Sequence, residues 1–180
     1  DKFEVGVALS SIYDFTWDVF CDWYIELCKI RLNDKESEGN AVAQNVLAYV
    51  LTGILKLLHP FMPFITEEIW QTLPPDGETI MLSAWPTFSE ELVFTEDEEK
   101  MGIIMDAIRA VRNRRSEMNV PPSRKAHVYI ATDKKDIFDL AVVFMQRLAS
   151  ASDVTVGDSF SIDGSVSIVT ADAKIYIPMG

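Results

Sequence analysis

Glu117-Met118-Asn119-Val120-Pro121-Pro122-Ser123-Arg124-Lys125-Ala126-His127-Val128-Tyr129-Ile130-Ala131 is the stretch in which this sequence changes its period. Upstream, Met101, Ile104, Ile108 and Val111 recur at helical spacing, whereas His127 to Ala131 reads as a strand. Two successive prolines cannot continue a helix, because each lacks the N–H and restricts the residue before it. The break therefore separates a helical part from an α/β part. The fold class expected is mainly α: an antiparallel helical bundle over residues 1–120, followed by a small α/β unit over residues 121–180.

Moving upstream, Thr95 followed by Glu98 reads as a capping box. Glu96, Asp97, Glu98 and Glu99 place negative charge on the positive end of a fourth helix, and Arg109, Arg112, Arg114 and Arg115 complement its other end. Residues 76–94, with proline and glycine breaks and short apolar runs, read as a connector lying across the bundle. Pro63 opens a third helix with Ile65, Ile69, Trp70 and Leu73 on its buried face, and Pro74-Pro75 ends it. A second helix runs through Val42, Val46, Leu47, Val50, Leu51, Ile54, Leu55 and Leu58 to His59-Pro60. Asn33 to Asn40 is charged and reads as a loop.

The first helix, from Lys2 to Leu32, carries two apolar stripes: Ile12, Phe15, Val19, Trp23, Leu27 and Ile30, then Tyr13, Trp17, Phe20, Tyr24 and Cys28. Such a helix is expected to be covered on both sides, with its aromatics in the core. Its remaining face is a polar strip of Asp14, Asp18, Asp22 and Lys29 in which Ile25 is the one apolar residue. Ile25 is read either as a contact surface or as a residue the connector covers. Downstream of the prolines, Lys135 to Ser150 has a helical period, and 154–156, 165–169 and 174–177 read as strands.

The chain has 180 residues, 48% of them hydrophobic, which is enough for a real core and excludes disorder. The net charge is −12, so any contact with a polyanion must be local. Residues 109–125 hold 6 basic and 1 acidic side chains, a net of +5, and form the only basic patch. Two cysteines, Cys21 and Cys28, sit seven apart, a spacing suited neither to a disulfide framework nor to a metal pair, so a reducing cytoplasm is the expected location. No apolar run reaches the roughly 18 residues of a membrane span, no membrane partner is expected, and Asp1-Lys2-Phe3-Glu4 lacks a signal peptide's layout.

The chemistry available is that of binding rather than turnover. His59 precedes a proline and His127 opens a strand, neither with ligands at short spacing, so no metal site is expected. Gly-rich phosphate loops and a nucleophile elbow are absent from the sequence. Glu67-Glu68 and Glu90-Glu91 are adjacent and diverge, so they read as solvated surface and no catalytic residue is assigned. The arginines of residues 109–115, with Arg124 and Lys125, can hold phosphates bidentately or serve as dipole and ion-pair partners.

Several motifs are similar to those of one family. These are Tyr13-Asp14-Phe15-Thr16-Trp17, Phe20-Cys21-Asp22-Trp23-Tyr24-Ile25-Glu26, His59-Pro60-Phe61-Met62-Pro63-Phe64-Ile65-Thr66-Glu67-Glu68-Ile69-Trp70, Ala84-Trp85-Pro86, Arg109-Ala110-Val111-Arg112-Asn113 and Met118-Asn119-Val120-Pro121-Pro122-Ser123. In order and spacing they resemble the carboxy-terminal part of bacterial valyl-tRNA synthetases. The His-Pro-x-x-Pro-Phe segment is shared with the isoleucyl and leucyl enzymes; Phe-Cys-Asp-Trp-Tyr and Met-Asn-Val-Pro-Pro point to valine.

The resemblance implies a helical anticodon-binding region of a class I ligase that joins valine to its tRNA with ATP. Its partners would be the anticodon stem-loop of valine tRNA and an upstream catalytic domain of the same polypeptide. The family's His-Ile-Gly-His and Lys-Met-Ser-Lys-Ser signatures and its editing domain are not in this sequence, and family members continue past Ile175-Tyr176-Ile177-Pro178 into a coiled-coil arm. The chain is therefore expected to be an inactive fragment that needs no cofactor of its own, ATP belonging to the full-length enzyme. The tRNA-binding residues implied are Asp18, Asp22, Ile25, Lys29, Arg31, Arg112 and Arg115. Rival readings are a helical protein-interaction module and a hydrolase using Glu67 or Glu68.

Overall fold

The structure, a computed structural model, describes residues 4–74 and 77–178. The expected helix start at Lys2 and Pro75 of the Pro74-Pro75 stop lie outside them. By contacts the chain divides into two compact units, Asp1–Glu90 and Glu91–Gly180.

The first unit is helical. Val5–Asp14 (α1) and Glu26–Leu32 (α2) flank a segment, Phe15–Ile25, wound as a π-helix, so the chain stays helical through all three. Glu38–Leu58 (α3) begins at Ser37, whose Oγ accepts from the Gly39 N–H at 3.2 Å, and Pro63–Trp70 (α4) starts on the proline expected there. α3 packs against α1, α2 and α4. Leu55, Trp70 and Ile80 are its buried centre, with Leu51 and Leu73 against them. By length and composition α3 could also cross a membrane, at a mean hydropathy of 1.6, although Gln44, Asn45 and Lys56 interrupt its apolar run.

The first helix departs from the reading of its stripes. Phe20, Trp23 and Cys28 are buried, but Trp17 is 53% exposed, and Tyr13, Phe15 and Val19 are exposed as well. In a π-helix each residue turns through less than the ~100° of an α-helix, so a stripe assigned on a 3.6 period drifts off its face. Helix α3 covers one side only, and the expected cover on both sides is not found among the described residues of this unit.

The second unit begins with Thr95–Glu117 (α5). Thr95 is its first helical residue and Phe94 occupies the cap with no side-chain hydrogen bond, so the capping box does not form. The acidic first turn of Glu96, Asp97 and Glu98 remains to complement the dipole. Strands Ala126–Ala131 (β1), Ala151–Gly157 (β2), Ser165–Val169 (β3) and Lys174–Pro178 (β4) form one sheet in the order β2-β1-β4-β3. The β1–β2 pair is parallel and the other two pairs are antiparallel. A parallel neighbour needs a crossover, and Lys135–Leu148 (α6) supplies it. One sheet face buries Val128, Ile130, Val154, Ile175 and Ile177, and α6 adds Phe138, Ala141 and Met145 to the core. Helix α5 packs on α6, burying Ile104, Ala107, Ile108 and Val111. By contacts α5 thus belongs with the α/β elements.

Candidate nucleic-acid interface

Asp18 and Asp22 are exposed on the π-wound segment, while Ile25, at its end, is half-buried. The wider winding separates Ile25 from the two aspartates more than an α-helical strip would. On α2, Lys29 is half-exposed and its ammonium is held by Glu26 one turn back. Arg31 is exposed, and its aliphatic stem leans on the start of α3: a Cβ on Gly39 would lie 3.6 Å from Arg31 Cδ. Behind this face Tyr24 stacks on Phe20 with ring centroids 6.1 Å apart. Burial, then a hydrogen bond and charge repulsion from Cys28, push the Tyr24 phenol up to about 12, with Arg31 pulling weakly the other way. Tyr24 is therefore a neutral hydrogen-bonding group at any ordinary pH.

Asn40, expected at the end of a loop, lies instead in the first turn of α3 and fixes this face. Its buried Nδ2 donates to the carbonyl oxygens of Arg31 at 3.1 Å and Leu32 at 3.0 Å, two orphan acceptors at the end of α2. The paired glutamates are also placed. Glu67 accepts from the Thr79 hydroxyl at 2.8 Å, the Ile80 N–H at 3.1 Å and the Gln71 amide at 2.6 Å. It thus clamps the connector to α4, whereas Glu68 is exposed. His59 Nδ1 lies 2.7 Å from Thr66 Oγ1, and the Thr66 hydroxyl also reaches the Met62 carbonyl at 2.8 Å, so the ring is tied to the start of α4. Among the described residues no cluster of three or more His, Cys, Asp or Glu side chains gathers as a metal requires.

The basic edge lies on the second unit. Arg109 pairs with Asp106 at 3.3 Å and Arg114 with Glu117 at 2.9 Å, and Arg112 is exposed. Arg115 is only 7% exposed: its guanidinium donates to the carbonyl oxygens of Pro121 and Arg124. Burial, and then the charge of Arg124, lower its pKa, but guanidinium still stays charged. The residue read as a phosphate contact is spent inside the protein. A buried guanidinium needs acceptors for its donors, and the turn after α5 brings two carbonyls to it.

The helical unit thus presents Asp18, Asp22 and Arg31 exposed, with Ile25 and Lys29 partly buried beside them. A family model for the anticodon-binding domain of tRNA ligases matches residues 1–130, and the chain belongs to that family. Across 99% of its length it is 49% identical to a valine–tRNA ligase of Clostridium tetani and 45% identical to that of Clostridium perfringens. Identity to the valine–tRNA ligase of Bacillus cereus is 40%, again over 99% of the chain. The chain spans 21% of the length of each of these relatives.

Proposed function

We propose that this chain is the anticodon-binding part of a valine–tRNA ligase and meets the anticodon stem-loop of valine tRNA through Asp18, Asp22, Ile25, Lys29 and Arg31. The observation that carries the reading is the family match over residues 1–130, within which Asp18, Asp22 and Ile25 belong to Phe15–Ile25 and Lys29 and Arg31 to α2. Ile25 packs on an unstacked base, Lys29 and Arg31 meet phosphates, and the aspartates accept from base amino groups. Arg112, exposed on the second unit, is a further phosphate contact; Arg115 is left out because it is buried, with its Nη2 bonded to two backbone carbonyls.

In this reading the catalytic domain lies elsewhere in the same polypeptide, which works in the cytoplasm. An antiparallel order of the helices belongs to the same proposal, as does a division at residue 120 by winding, helical before it and α/β after it, although by contacts α5 goes with the second unit. The residues present do not fit ATP. Among the described residues Gly6, Gly39, Gly53 and Gly102 lie within helices, while Gly77, Gly157 and Gly164 stand singly and far apart in sequence, so they build no glycine-rich phosphate loop, and no step of adenylate chemistry is assigned to this chain. The isolated chain should support no valine-dependent ATP–pyrophosphate exchange.

Fluorescence titration with the valine anticodon stem-loop, against one of altered anticodon, tests the reading. The cognate loop should bind tighter. Lys29→Ala should lower the slope of log affinity on log salt by about 0.7 to 0.9, the value of one phosphate contact. Ile25→Ala should cost about 1 kcal/mol or more with the slope unchanged, as for a lost stacking contact. Equal affinity for both loops would overturn the proposal.

A further inference from the structure

The turn that consumes Arg115 also builds a groove of about 410 Å³ in the second unit. Its cationic side is Arg124 and Lys125, with His127 beside them, and Met118, Val120 and Pro178 give it apolar lining. The volume lies within the roughly 300–1,000 Å³ usual for small-molecule sites. The turn is held from both ends. Asn119 adopts φ 54°, the left-handed conformation that ends a helix, and the Val120 N–H bonds the Arg115 carbonyl at 2.9 Å. The Arg115 side chain meanwhile bonds the Pro121 and Arg124 carbonyls. His127 is fixed by a ring nitrogen 2.7 Å from Thr155 Oγ1 and by stacking on Tyr129 at 4.2 Å with 6° between the rings. Preorganised walls of this kind lower the ordering cost of binding.

Charge identifies the occupant. Residues 109–125 carry a net of +5 in a chain of −12. Within that patch Arg109 and Arg114 are engaged by carboxylates and Arg115 by carbonyls. Arg124 and Lys125 are exposed, and among the described residues neither takes part in an ion pair. Two cations beside an apolar lining suit one nucleotide of RNA, its phosphate on the cations and its ribose and base on Met118, Val120 and Pro178. Ile177 and Pro178, which complete the groove, lie beyond the residues matched as anticodon-binding, and its other lining residues lie at the end of that match. We infer that the groove is a second RNA-contact site, holding a nucleotide of tRNA outside the anticodon stem-loop. This rests on the reading that the chain binds tRNA.

The test compares binding of the 180-residue chain to whole valine tRNA transcript, to the isolated anticodon stem-loop and to AMP. The Arg124→Ala/Lys125→Ala variant should weaken whole-tRNA binding about tenfold and lower the salt slope by about 1.4 to 1.8, the value of two phosphate contacts, while leaving stem-loop affinity within about twofold. Val120→Trp, which fills the groove, should weaken whole-tRNA binding alone, with thermal unfolding as the control on folding. Equal losses for both RNAs, or no loss for the whole tRNA, overturn the inference. Displacement of tRNA by low concentrations of AMP would also overturn it, since the groove would then be a mononucleotide pocket. If the stem-loop shows no anticodon preference while whole tRNA stays sensitive to Arg124→Ala/Lys125→Ala, the anticodon reading falls and this one stands. Absence of any whole-tRNA binding overturns both.

Discussion

The guanidinium of Arg115 donates to the backbone carbonyl of Arg124, nine residues downstream, and to that of Pro121 at 3.3 Å. Replacing Arg115 with methionine keeps the buried stem and removes the side-chain donor; the Pro121 carbonyl keeps the Arg124 N–H at 3.1 Å, whereas the Arg124 carbonyl loses the guanidinium. A hydrogen bond made by a charged group contributes about 1.5–3 kcal/mol, so Arg115→Met should lower the denaturant midpoint accordingly. Arg115→Lys should recover only part of the loss, because both bonds come from the terminal Nη2 of a planar head that the shorter ammonium side chain does not reproduce. Full stability in Arg115→Met would mean that the turn holds itself.

Asn119 makes the complementary case through the backbone. At φ 54° asparagine is tolerated and glycine is free, but a β-branched residue is strained. Asn119→Gly should leave the thermal midpoint nearly unchanged. Asn119→Val should destabilise by about 1–2 kcal/mol or more, since a left-handed conformation costs that much for a residue with a bulky Cβ. Equal midpoints for the two variants would remove the helix-ending role assigned to this residue.

Glu67 links the connector to pH. Its pKa is lowered, chiefly by the Gln71 amide, with burial opposing, and further by the Thr79 hydroxyl, the Ile80 N–H and the charge of His59. A carboxylate whose pKa is lower folded than unfolded contributes stability above the unfolded value, about 4.3, and loses it as pH falls through the folded value. Unfolding curves recorded from pH 6 down to pH 3 should therefore show a steeper acid loss in the wild type than in Glu67→Gln. Parallel pH profiles would show that the clamp does not titrate.

What was legible in the sequence and what was not follows the range of the interactions. Pro121-Pro122 and the alternation at Val128 and Ile130 are local, and the strands lie where the period of two placed them. Pro63 and His59-Pro60 likewise bounded their helices. Trp17 was misplaced because side-chain spacing carries no sign of π winding, which depends on backbone bonds five residues apart. Arg115 was taken for surface because its acceptors are backbone carbonyls, which any residue supplies and no motif advertises. Asn40 escaped for the same reason, and the capping box at Thr95 failed by one residue, within the usual uncertainty of helix ends.

The pairing of Lys29 with Glu26 gives the sharpest test of the RNA-facing strip. If Lys29 meets a phosphate, it must leave Glu26, and the glutamate then stands beside a negative backbone. Glu26→Gln removes both penalties and should raise stem-loop affinity by a few-fold, in keeping with the roughly 0.2–1 kcal/mol of an exposed pair. Losing any negative charge near RNA also strengthens binding, so the single variant does not isolate Lys29. The comparison is Glu26→Gln made in the wild type and again in Lys29→Ala, with affinities measured at the same salt. Contact through Lys29 requires the gain to be larger when the lysine is present, because only then is an ammonium released from its partner. Gains of equal size in the two backgrounds would mean that Glu26 acts through the general field alone and that the phosphate contact belongs to another side chain of the face.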